Sequence, residues 1–362
     1  MTLIAYFPQL FVVYMAIILT TLGVLYINMR RFGGPMTFLF SAIIYGAATI
    51  GGALCLNGVF NPYGPPFSAV FNLAWGIFFG GSIFLAMVVH RSIVMKLRVS
   101  AIFYGALLAL LLGIYVDAFL IEPHWLETTE VELHDPRIKK PTVIAVVADI
   151  QTDEFGSYEK QVLAQVMQRK PDLILLCGDY IQEVSREPYD KKLPLMTKCL
   201  QDLNFSAPLG AYAVRGNVDQ DSWRKIFENT KVQAVEDTTN FEVGDYTVTA
   251  LNFFDSFNPK LTLEKSDKYH IVFGHGPDFA RAFPSGDLYV AGHIHGGQVQ
   301  LPGYGPVITL STVPKLWSCG YHRIPNNKDL VVSRGIGMER CFAPRLRFLC
   351  RPQMIYITLK PQ

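Results

Sequence analysis

The chain has 362 residues, of which 50% are hydrophobic and 17% are charged, and its mean hydropathy is +0.25. This composition is too apolar for one soluble globular domain of this length. The formal net charge at pH 7 is only +2. A charge so close to zero gives no basic surface for a nucleic acid, so we expect no nucleic-acid partner.

The apolar excess is confined to the first third of the chain. Asp117 is the first of the 30 acidic residues in the chain, and most of the 32 basic residues also lie after it. We therefore expect a membrane domain at residues 1–121 and a polar connector at 122–141, whose three prolines and mixed charge are typical of a tether. Residues 142–362 are expected to form a globular domain large enough for one core.

Four apolar stretches are long enough to cross a bilayer as helices, which takes about 20 residues. They lie at residues 3–27, 36–56, 67–89 and 101–120. A cleavable signal peptide is the alternative for the first stretch. Its amino end carries no positive charge and three more stretches follow it, so we favour a transmembrane bundle of four helices.

The basic residues predict which way the bundle faces. The loop after the first stretch contains Arg30 and Arg31, and the loop after the third contains Arg91, Lys96 and Arg98, whereas residues 57–66 contain no basic residue. Loops rich in Lys and Arg stay in the cytoplasm. We therefore expect the globular domain on the extracytoplasmic side of the membrane.

The globular part alternates between strand and helix patterns. Continuous apolar runs at 143–148 and 173–177 indicate strands buried on both faces, and residues 158–169 between them have helical spacing. Further helices are expected at 193–203 and 221–229 and a third strand at 211–214. Later strands are expected at 246–251, 269–273, 288–291, 331–333 and 354–359. This order predicts an α/β domain with sheet packed on sheet and helices outside.

Polar side chains follow three of these apolar runs. Asp149, Asp179 and Asn217 each come just after a predicted strand. One such residue is explained equally well as a helix cap. Because open α/β sheets place their sites at the carboxyl ends of strands, three of them indicate a common site.

Histidines complete the set of candidate metal ligands. His275 follows the strand predicted at 269–273, and His293 and His295 occupy alternate positions of a segment bracketed by glycines. We expect that segment to be extended, so that both rings point to the same side. Imidazole and carboxylate ligands suit Mn²⁺, Fe²⁺, Zn²⁺ or Co²⁺.

This ordered series resembles the motif set of the calcineurin-like metallophosphoesterase superfamily. The family pattern is Asp-x-His, Gly-Asp, Gly-Asn-His-Asp/Glu, His and Gly-His-x-His, and it covers residues 143–360 here. Segments 296–306, 333–337 and 344–348 resemble a membrane-anchored bacterial branch. That branch includes phosphodiesterases and the UDP-2,3-diacylglucosamine hydrolases of lipid A synthesis. The resemblance implies a four-layer domain, a β-sandwich flanked by helices.

The resemblance also implies roles for individual residues. Asp149, Asp179 and His295 would bind a first metal ion, and Asp179 would bridge to a second ion completed by Asn217, His275 and His293. Asp179, Asn217 and His293 would be the residues most directly engaged in catalysis. Two Mn²⁺ ions are the expected cofactors, and a hydroxide shared by the ions would attack phosphorus.

The chain departs from the family pattern at two positions. Gln151 stands where the family usually has a histidine ligand, and we expect its amide oxygen to bind the first metal or to lie just behind it. Val218 stands where the family usually has a histidine that protonates the leaving group. Loss of a general acid typically costs about 10²- to 10⁴-fold in rate, less when the leaving group is already good.

Residues near the carboxyl end are candidates for binding substrate. Arg334, Arg340, Arg345 and Arg347 could bind a second phosphate or a head group, although a basic surface strip is an equal explanation. His322 is a candidate replacement for the missing acid. Cys319, Cys341 and Cys350 are close enough in sequence for one disulfide in an exported domain, and the sequence leaves their pairing open.

These patterns predict a dinuclear, metal-dependent phosphodiesterase or pyrophosphatase in a bacterial cytoplasmic membrane, acting on a phosphodiester or a lipid-linked pyrophosphate. One alternative is a UDP-2,3-diacylglucosamine pyrophosphatase, which needs a cytoplasmic catalytic face. A second alternative, motivated by Gln151 and Val218 together, is a catalytically impaired metal-binding or sensor domain.

Overall fold

The computed structural model describes residues 2–60 and 67–362. Of the loop predicted at 57–66, positions 61–66 lie outside the described residues. The chain divides into two compact units, one of Met1–Phe119 with Cys341–Pro344 and the other of Leu120–Arg340 with Arg345–Gln362.

Long apolar helices make up the first unit, as the sequence predicts. Their bounds are α1 (Thr2–Phe32), α2 (Pro35–Phe60), α3 (Phe67–Ala74), α4 (Gly81–Val94) and α5 (Arg98–Val116). A π-helical segment at Trp75–Gly80 joins α3 to α4, and another at Asp117–Ile121 follows α5. Four helices are therefore long and apolar enough to cross a membrane, at Pro8–Phe32, Pro35–Val59, Phe67–Val94 and Arg98–His124.

Two buried tyrosine hydroxyls of the bundle donate to backbone carbonyls. The Tyr14 hydroxyl donates to the carbonyl of Thr49 at 3.3 Å, and the Tyr45 hydroxyl donates to that of Gly76 at 2.5 Å. Many large apolar side chains on the outer faces of these helices are exposed. Internal hydrogen bonds and an apolar exterior are what a lipid environment requires.

Fourteen strands lie in the second unit. They are β1 (Glu127–His134), β2 (Thr142–Val147), β3 (Leu173–Leu176), β4 (Ala211–Ala213), β5 (Gln233–Ala234), β6 (Thr239–Val243), β7 (Tyr246–Ala250), β8 (Tyr269–Phe273), β9 (Leu288–Ala291), β10 (Gln300–Leu301), β11 (Gly305–Pro306), β12 (Gly320–Ile324), β13 (Lys328–Val332) and β14 (Gln353–Lys360). One six-stranded sheet has the order β1-β14-β2-β3-β4-β5, and another has β12-β13-β9-β8-β7-β6.

Parallel pairing brings strand ends together within each sheet. In the first sheet β2, β3, β4 and β5 are mutually parallel, and in the second β7, β8, β9 and β13 are parallel. The strands with continuous apolar runs lie at the centre of the sheets. Their carboxyl ends therefore form two edges from which loop residues extend.

Three apolar clusters define the layers of this domain. One fills the space between the sheets and includes Ile144, Leu175, Val248 and Ile271. A second lies between the first sheet and the helices α6 (Ser157–Gln168) and α7 (Arg186–Asp202). The third covers the outer face of the second sheet with 3-10 turns at Asp278–Ala282 and Lys315–Ser318. The predicted β-sandwich with flanking helical layers is therefore confirmed.

The predicted connector at 122–141 is wrong in its central part, which forms β1. This strand pairs in parallel with β14, with Val131 opposite Ile357. Val131 and Leu133 are buried, whereas Glu130 and Glu132 between and beside them are exposed. Alternation with a period of two is the pattern of a half-buried edge strand, and the prolines around it concealed that signal.

Two predicted helices also have different bounds in the structure. The helix predicted at 193–203 begins earlier, at Arg186, and continues through Pro194. The helix predicted at 221–229 is a short 3-10 segment, Trp223–Phe227. Asn229, with φ of 56°, follows that segment in the left-handed conformation that commonly ends a helical turn.

Glu122, near the start of the domain in sequence, binds the segment just before β14. Its carboxylate is only 3% exposed and accepts the backbone N–H of Leu349 at 2.8 Å and that of Cys350. We expect Glu122→Ala to lower the free energy of unfolding by about 1–3 kcal/mol, because it leaves the backbone N–H of buried Cys350 unpaired. Denaturant unfolding of the full chain in detergent, followed by tryptophan fluorescence, measures this. Glu130→Ala, at an exposed carboxylate, is the control, and equal midpoints for both variants would contradict the prediction.

Candidate metal centre

The candidate ligands occupy loops that follow strands of both sheets. Asp149 lies just beyond β2, Asp179 beyond β3 and Asn217 beyond β4. His275 follows β8 in the second sheet, and the histidine loop follows β9. β2, β3 and β4 are parallel in the first sheet, and β8 and β9 are parallel in the second. Contacts of His275 with Cys177 and Asp179 bring the two sets of carboxyl ends together.

Most of the candidate ligands have a left-handed backbone, which is uncommon for residues other than glycine. The φ angles are 51° at Asp149, 40° at Gln151, 56° at Asp179, 72° at His293 and 53° at His295. Such conformations are costly and cluster at functional sites. The prediction that His293 and His295 lie in an extended segment is therefore wrong. β9 ends at Ala291, and a tight turn delivers the two rings instead.

Glycines allow these loops to approach the carboxylates closely. A Cβ at Gly292 would lie 2.6 Å from Oδ2 of Asp149, and a Cβ at Gly335 would lie 2.8 Å from Cβ of the same aspartate. A Cβ at Gly216 would collide with the side chain of Asp179. Only hydrogen fits at these three positions, so the glycines of the motifs have a steric role.

Asp149, Asp179 and His295 form a first group able to hold a metal ion. All three are buried, and one ligand atom of each lies within 4.8 Å of those of the others. Nε2 of His295 and Oε1 of Gln151 are buried without a hydrogen-bond partner. Buried polar atoms are normally paired. Unpaired nitrogen and oxygen atoms at this site are what a cation would satisfy.

Asp179, His275 and His293 form a second group with the same spacing, so Asp179 belongs to both. Nε2 of His275 lies 3.4 Å from Oδ2 of Asp179 and 2.7 Å from Oδ1 of Asn217. The groups coincide with the two ligand sets that the family resemblance implies. The donor chemistry therefore fits two divalent cations that share Asp179.

Hydrogen bonds behind the rings select the nitrogen that faces the site. Nδ1 of His275 donates to the carbonyl of Cys177 at 2.8 Å, and Nε2 of His293 donates to that of Leu310 at 3.2 Å. A carbonyl only accepts, so each of these nitrogens carries hydrogen. Nε2 of His275 and Nδ1 of His293 remain as ligand atoms, an arrangement typical of metal-binding histidines.

Proton affinities at the centre are strongly perturbed. Burial raises the pKa of Asp149 to about 8. Burial opposes ionisation of Asp179 too, but attraction to His275 and hydrogen bonds from His275 and Val218 lower its pKa. Burial disfavours the His275 cation, yet the facing aspartates and the Cys177 carbonyl raise its pKa to about 9. In the metal-free protein, protons on Asp149 and His275 therefore offset the buried negative charge at pH 7.

The other two histidines are neutral at pH 7. Burial, with the nearby charge of His275, lowers the pKa of His293 to about 4. Burial and the adjacent Arg347 hold the pKa of His295 well below its usual range. Both rings can therefore bind a cation without first losing a proton.

Asp219 is a residue of the site for which the sequence patterns predict no role. Its buried carboxylate accepts the backbone N–H groups of Asp179, Tyr180 and Gly216, each at 2.8 Å. It thereby ties the loop after β3 to the loop after β4 and fixes Asp179 relative to Asn217. Its place in the Gly216–Asp219 motif was the signal that could have identified it.

Arg347 is enclosed by the protein, so its guanidinium is not exposed to a substrate as the prediction requires. It is 0% exposed, and its guanidinium donates to carbonyls of Gly337 and Cys350 at the back of the site. Another guanidinium nitrogen donates to the carbonyl of Arg334 at 2.7 Å. The guanidinium also contacts Nδ1 of His295 at 3.4 Å, so carbonyls and one imidazole surround a charge that burial requires to be hydrogen-bonded.

The other candidate substrate residues already have partners. Arg334 pairs with Glu127 at 3.1 Å, and Arg345, whose side chain is 56% exposed, pairs with Asp153. Nε2 of His322 donates to the carbonyl of Cys319 at 2.8 Å, and no contact among the described residues joins it to the metal groups. Substrate binding by Arg334, Arg345 and His322 stays a prediction.

Comparison with known proteins agrees with this geometry. The family model for calcineurin-like phosphoesterases matches residues 142–297. The uncharacterized metallophosphoesterase YkuE of Bacillus subtilis is 30% identical over 282 residues, which cover 71% of this chain and 94% of that protein. The uncharacterized metallophosphoesterase Cj0846 of Campylobacter jejuni is 24% identical over 324 residues, 82% of this chain and 80% of that protein.

The chain therefore belongs to the calcineurin-like metallophosphoesterase superfamily. Members of this family use divalent metal ions for phosphoester hydrolysis, and the two residue groups described above are the candidates to hold them here.

The perturbed proton affinities predict how metal binding depends on pH. At pH 7 the metal-free site keeps protons on His275 (pKa about 9) and Asp149 (pKa about 8). Both must leave before a cation binds, so Mn²⁺ affinity should rise from pH 6.5 to 8.5, with about two protons released near pH 7. Calorimetric titration of the metal-free protein in buffers of different ionisation enthalpy measures the release. His134→Gln, at an exposed histidine, is the control. Affinity that is equal at both pH values would contradict the prediction.

Proposed function

We propose that the protein is a membrane-anchored, dinuclear metal-dependent phosphodiesterase or pyrophosphatase of a bacterial cytoplasmic membrane. The observation that carries this proposal is the pair of ligand groups that share Asp179. One shared carboxylate with separate sets of nitrogen and oxygen donors is the arrangement that two-metal hydrolases of phosphoesters require.

When bound, two divalent ions supply an activated water and neutralise charge on the phosphoryl oxygens. Asp149, Gln151 and His295 would hold one ion, Asn217, His275 and His293 the other, and Asp179 both. The backbone N–H of Val218 donates to Oδ1 of Asp179 at 2.9 Å and fixes the orientation of that carboxylate. Mn²⁺ is our first choice of metal, with Fe²⁺, Zn²⁺ or Co²⁺ also suited to these donors.

Space for the rest of the substrate adjoins the second group. A cavity of about 280 Å³ is lined by Arg215, Asn217, Asn252 and the aromatic rings of Phe253 and Phe254. A phosphodiester or pyrophosphate has a group on each side of phosphorus, and this cavity is our candidate for one of them. A phosphate monoester would leave it empty.

Val218 argues for substrates whose leaving group needs no proton. Its side chain cannot transfer one, and His322, the suggested replacement, is bonded to the Cys319 carbonyl. Phosphate leaves from a pyrophosphate without protonation, whereas an alkoxide from an alkyl ester does not. Diesters with good leaving groups and pyrophosphates are therefore the proposed substrate classes.

The apolar helices support a substrate at the bilayer surface. Four candidate spans exceed what a simple anchor needs, so we propose a lipid-linked phosphodiester or pyrophosphate. The basic loops favour an extracytoplasmic catalytic domain. A UDP-2,3-diacylglucosamine pyrophosphatase, which needs the opposite face, is the alternative enzyme, and an impaired metal sensor is the alternative without catalysis.

Hydrolysis should depend on the shared carboxylate. We expect Asp179→Asn to lower kcat/KM for bis-p-nitrophenyl phosphate by at least about 10³-fold, because one neutral amide cannot replace a carboxylate that serves both ions. The matched control is Asp202→Asn, whose carboxylate is 61% exposed in an ion pair with Lys198. Assays use full-length protein in detergent with added Mn²⁺. A folded Asp179→Asn variant with wild-type activity would exclude the proposed centre, and metal binding without any turnover in the wild type would favour the sensor.

The missing acid should be visible in the leaving-group dependence. We expect Val218→His to raise kcat/KM by about 10–100-fold for diesters with poor leaving groups and much less for nitrophenyl esters, because only poor leaving groups need a proton. A series of diesters gives the slope of log kcat/KM against leaving-group pKa for the wild type and for Val218→His. Val218→Gln, which adds polarity without a proton-transferring ring, is the control. Equal slopes for wild type and Val218→His would mean that another residue already supplies the proton.

The orientation of the domain can be tested separately from its chemistry. Alkaline phosphatase fused after Gln362 should be active in intact cells, because the positive loops place the carboxyl terminus outside the cytoplasm. A cytoplasmic reporter fused at the same position is the control and should be inactive. The opposite pattern would reverse the topology and favour the UDP-2,3-diacylglucosamine alternative.

A further inference from the structure

Gln151 presents a problem that a histidine at the same position would not. A glutamine side chain has nearly the same shape in its two amide orientations, but one end accepts hydrogen bonds and the other donates them. Only the carbonyl oxygen can bind a cation. If Gln151 is a metal ligand, its surroundings must select the orientation.

The Gln151 amide is the first member of a chain of hydrogen bonds. Its Nε2 donates to Oε1 of Gln182 at 3.1 Å, and Nε2 of Gln182 donates to Oε2 of Glu339 at 3.0 Å. Nε2 of Gln151 thus has an oxygen acceptor, whereas its Oε1 is buried and has no partner.

Fixed groups at the end of this chain determine its direction. Nε2 of Gln182 donates to Oε2 of Glu339, which leaves the oxygen of Gln182 towards Gln151. The backbone N–H of Arg340 also donates to Oε1 of Gln182, at 2.5 Å, and a backbone donor cannot reverse. With the oxygen of Gln182 facing Gln151, the Gln151 NH₂ must point at Gln182. The Gln151 oxygen then points away from Gln182 and stays unpaired.

We propose that Gln182 and Glu339 are positioning residues that orient the Gln151 amide so that its oxygen is offered to the first metal ion. This inference rests on the proposed dinuclear centre. Neither residue needs to touch the ion. Without them the amide can turn over and present two hydrogens, which repel a cation. Residues behind a ligand typically contribute about 10- to 100-fold to metal affinity.

The test is Mn²⁺ binding to metal-free, full-length protein in detergent, followed by the electron paramagnetic resonance signal of free Mn²⁺. Gln182→Leu and Glu339→Leu should each weaken one of the two Mn²⁺ sites about 10- to 100-fold and leave the other nearly unchanged. The matched control is Glu154→Gln, which alters an exposed carboxylate three positions from Gln151. Its affinities should equal those of the wild type.

A second background separates positioning from a general structural effect. Gln151→His supplies a ring nitrogen that has no amide orientation to fix, so adding Gln182→Leu or Glu339→Leu to it should change Mn²⁺ affinity by less than about threefold. Normal Mn²⁺ binding by these double variants would also show that the substitutions leave the domain folded.

Three results would overturn the proposal, and they are distinguishable. Wild-type affinity in Gln182→Leu would remove the positioning role alone. An equal loss in the Gln151→His background would mean that Gln182 and Glu339 act independently of the amide, with Glu339 a ligand itself. A wild type that binds no Mn²⁺ would overturn the metal centre and the proposed function together.

Discussion

Negative charge buried at one edge of the sandwich is the constraint on which the rest of the site depends. Asp149, Asp179 and Asp219 are 0%, 1% and 3% exposed, respectively. Ionised carboxylates are stable in such surroundings only if hydrogen bonds or cations compensate them. Three backbone N–H groups compensate Asp219, whereas Asp149 and Asp179 face the histidines. Protons fill this role in the metal-free protein, and two divalent ions would fill it better.

The same constraint accounts for the local backbone. Ligands must approach within coordination distance from loops of two sheets, so the chain adopts left-handed turns at five candidate ligands and has glycines where a Cβ would collide. Hydrogen bonds from the rings of His275 and His293 to the Cys177 and Leu310 carbonyls then orient those rings. Val218 and Gln151 change the chemistry without changing this framework. One removes a proton donor, and the other replaces a ring with an amide that needs its own support.

Much of this could be predicted from local patterns in the sequence. Continuous apolar runs identified β2 and β3, β8 and β9 were also predicted, and glycine-flanked polar residues after these strands identified the candidate ligands. The predictions that were wrong concern features that depend on tertiary contacts. The edge strand β1 is stabilised by pairing with β14, more than 200 residues later in the chain. Arg347 was expected at the surface because arginine usually is, but the surrounding carbonyls that bury it become visible only in the fold. Gln182 and Glu339 carry no motif at all.

The central claim is that two divalent ions share Asp179, and metal analysis of purified full-length protein tests it most directly. Elemental mass spectrometry should find two ions per chain in the wild type after dialysis. His293→Ala and His295→Ala should each retain about one, because each removes a ligand from a different group. A wild type with no bound metal, or a metal content unchanged in both variants, would contradict the account.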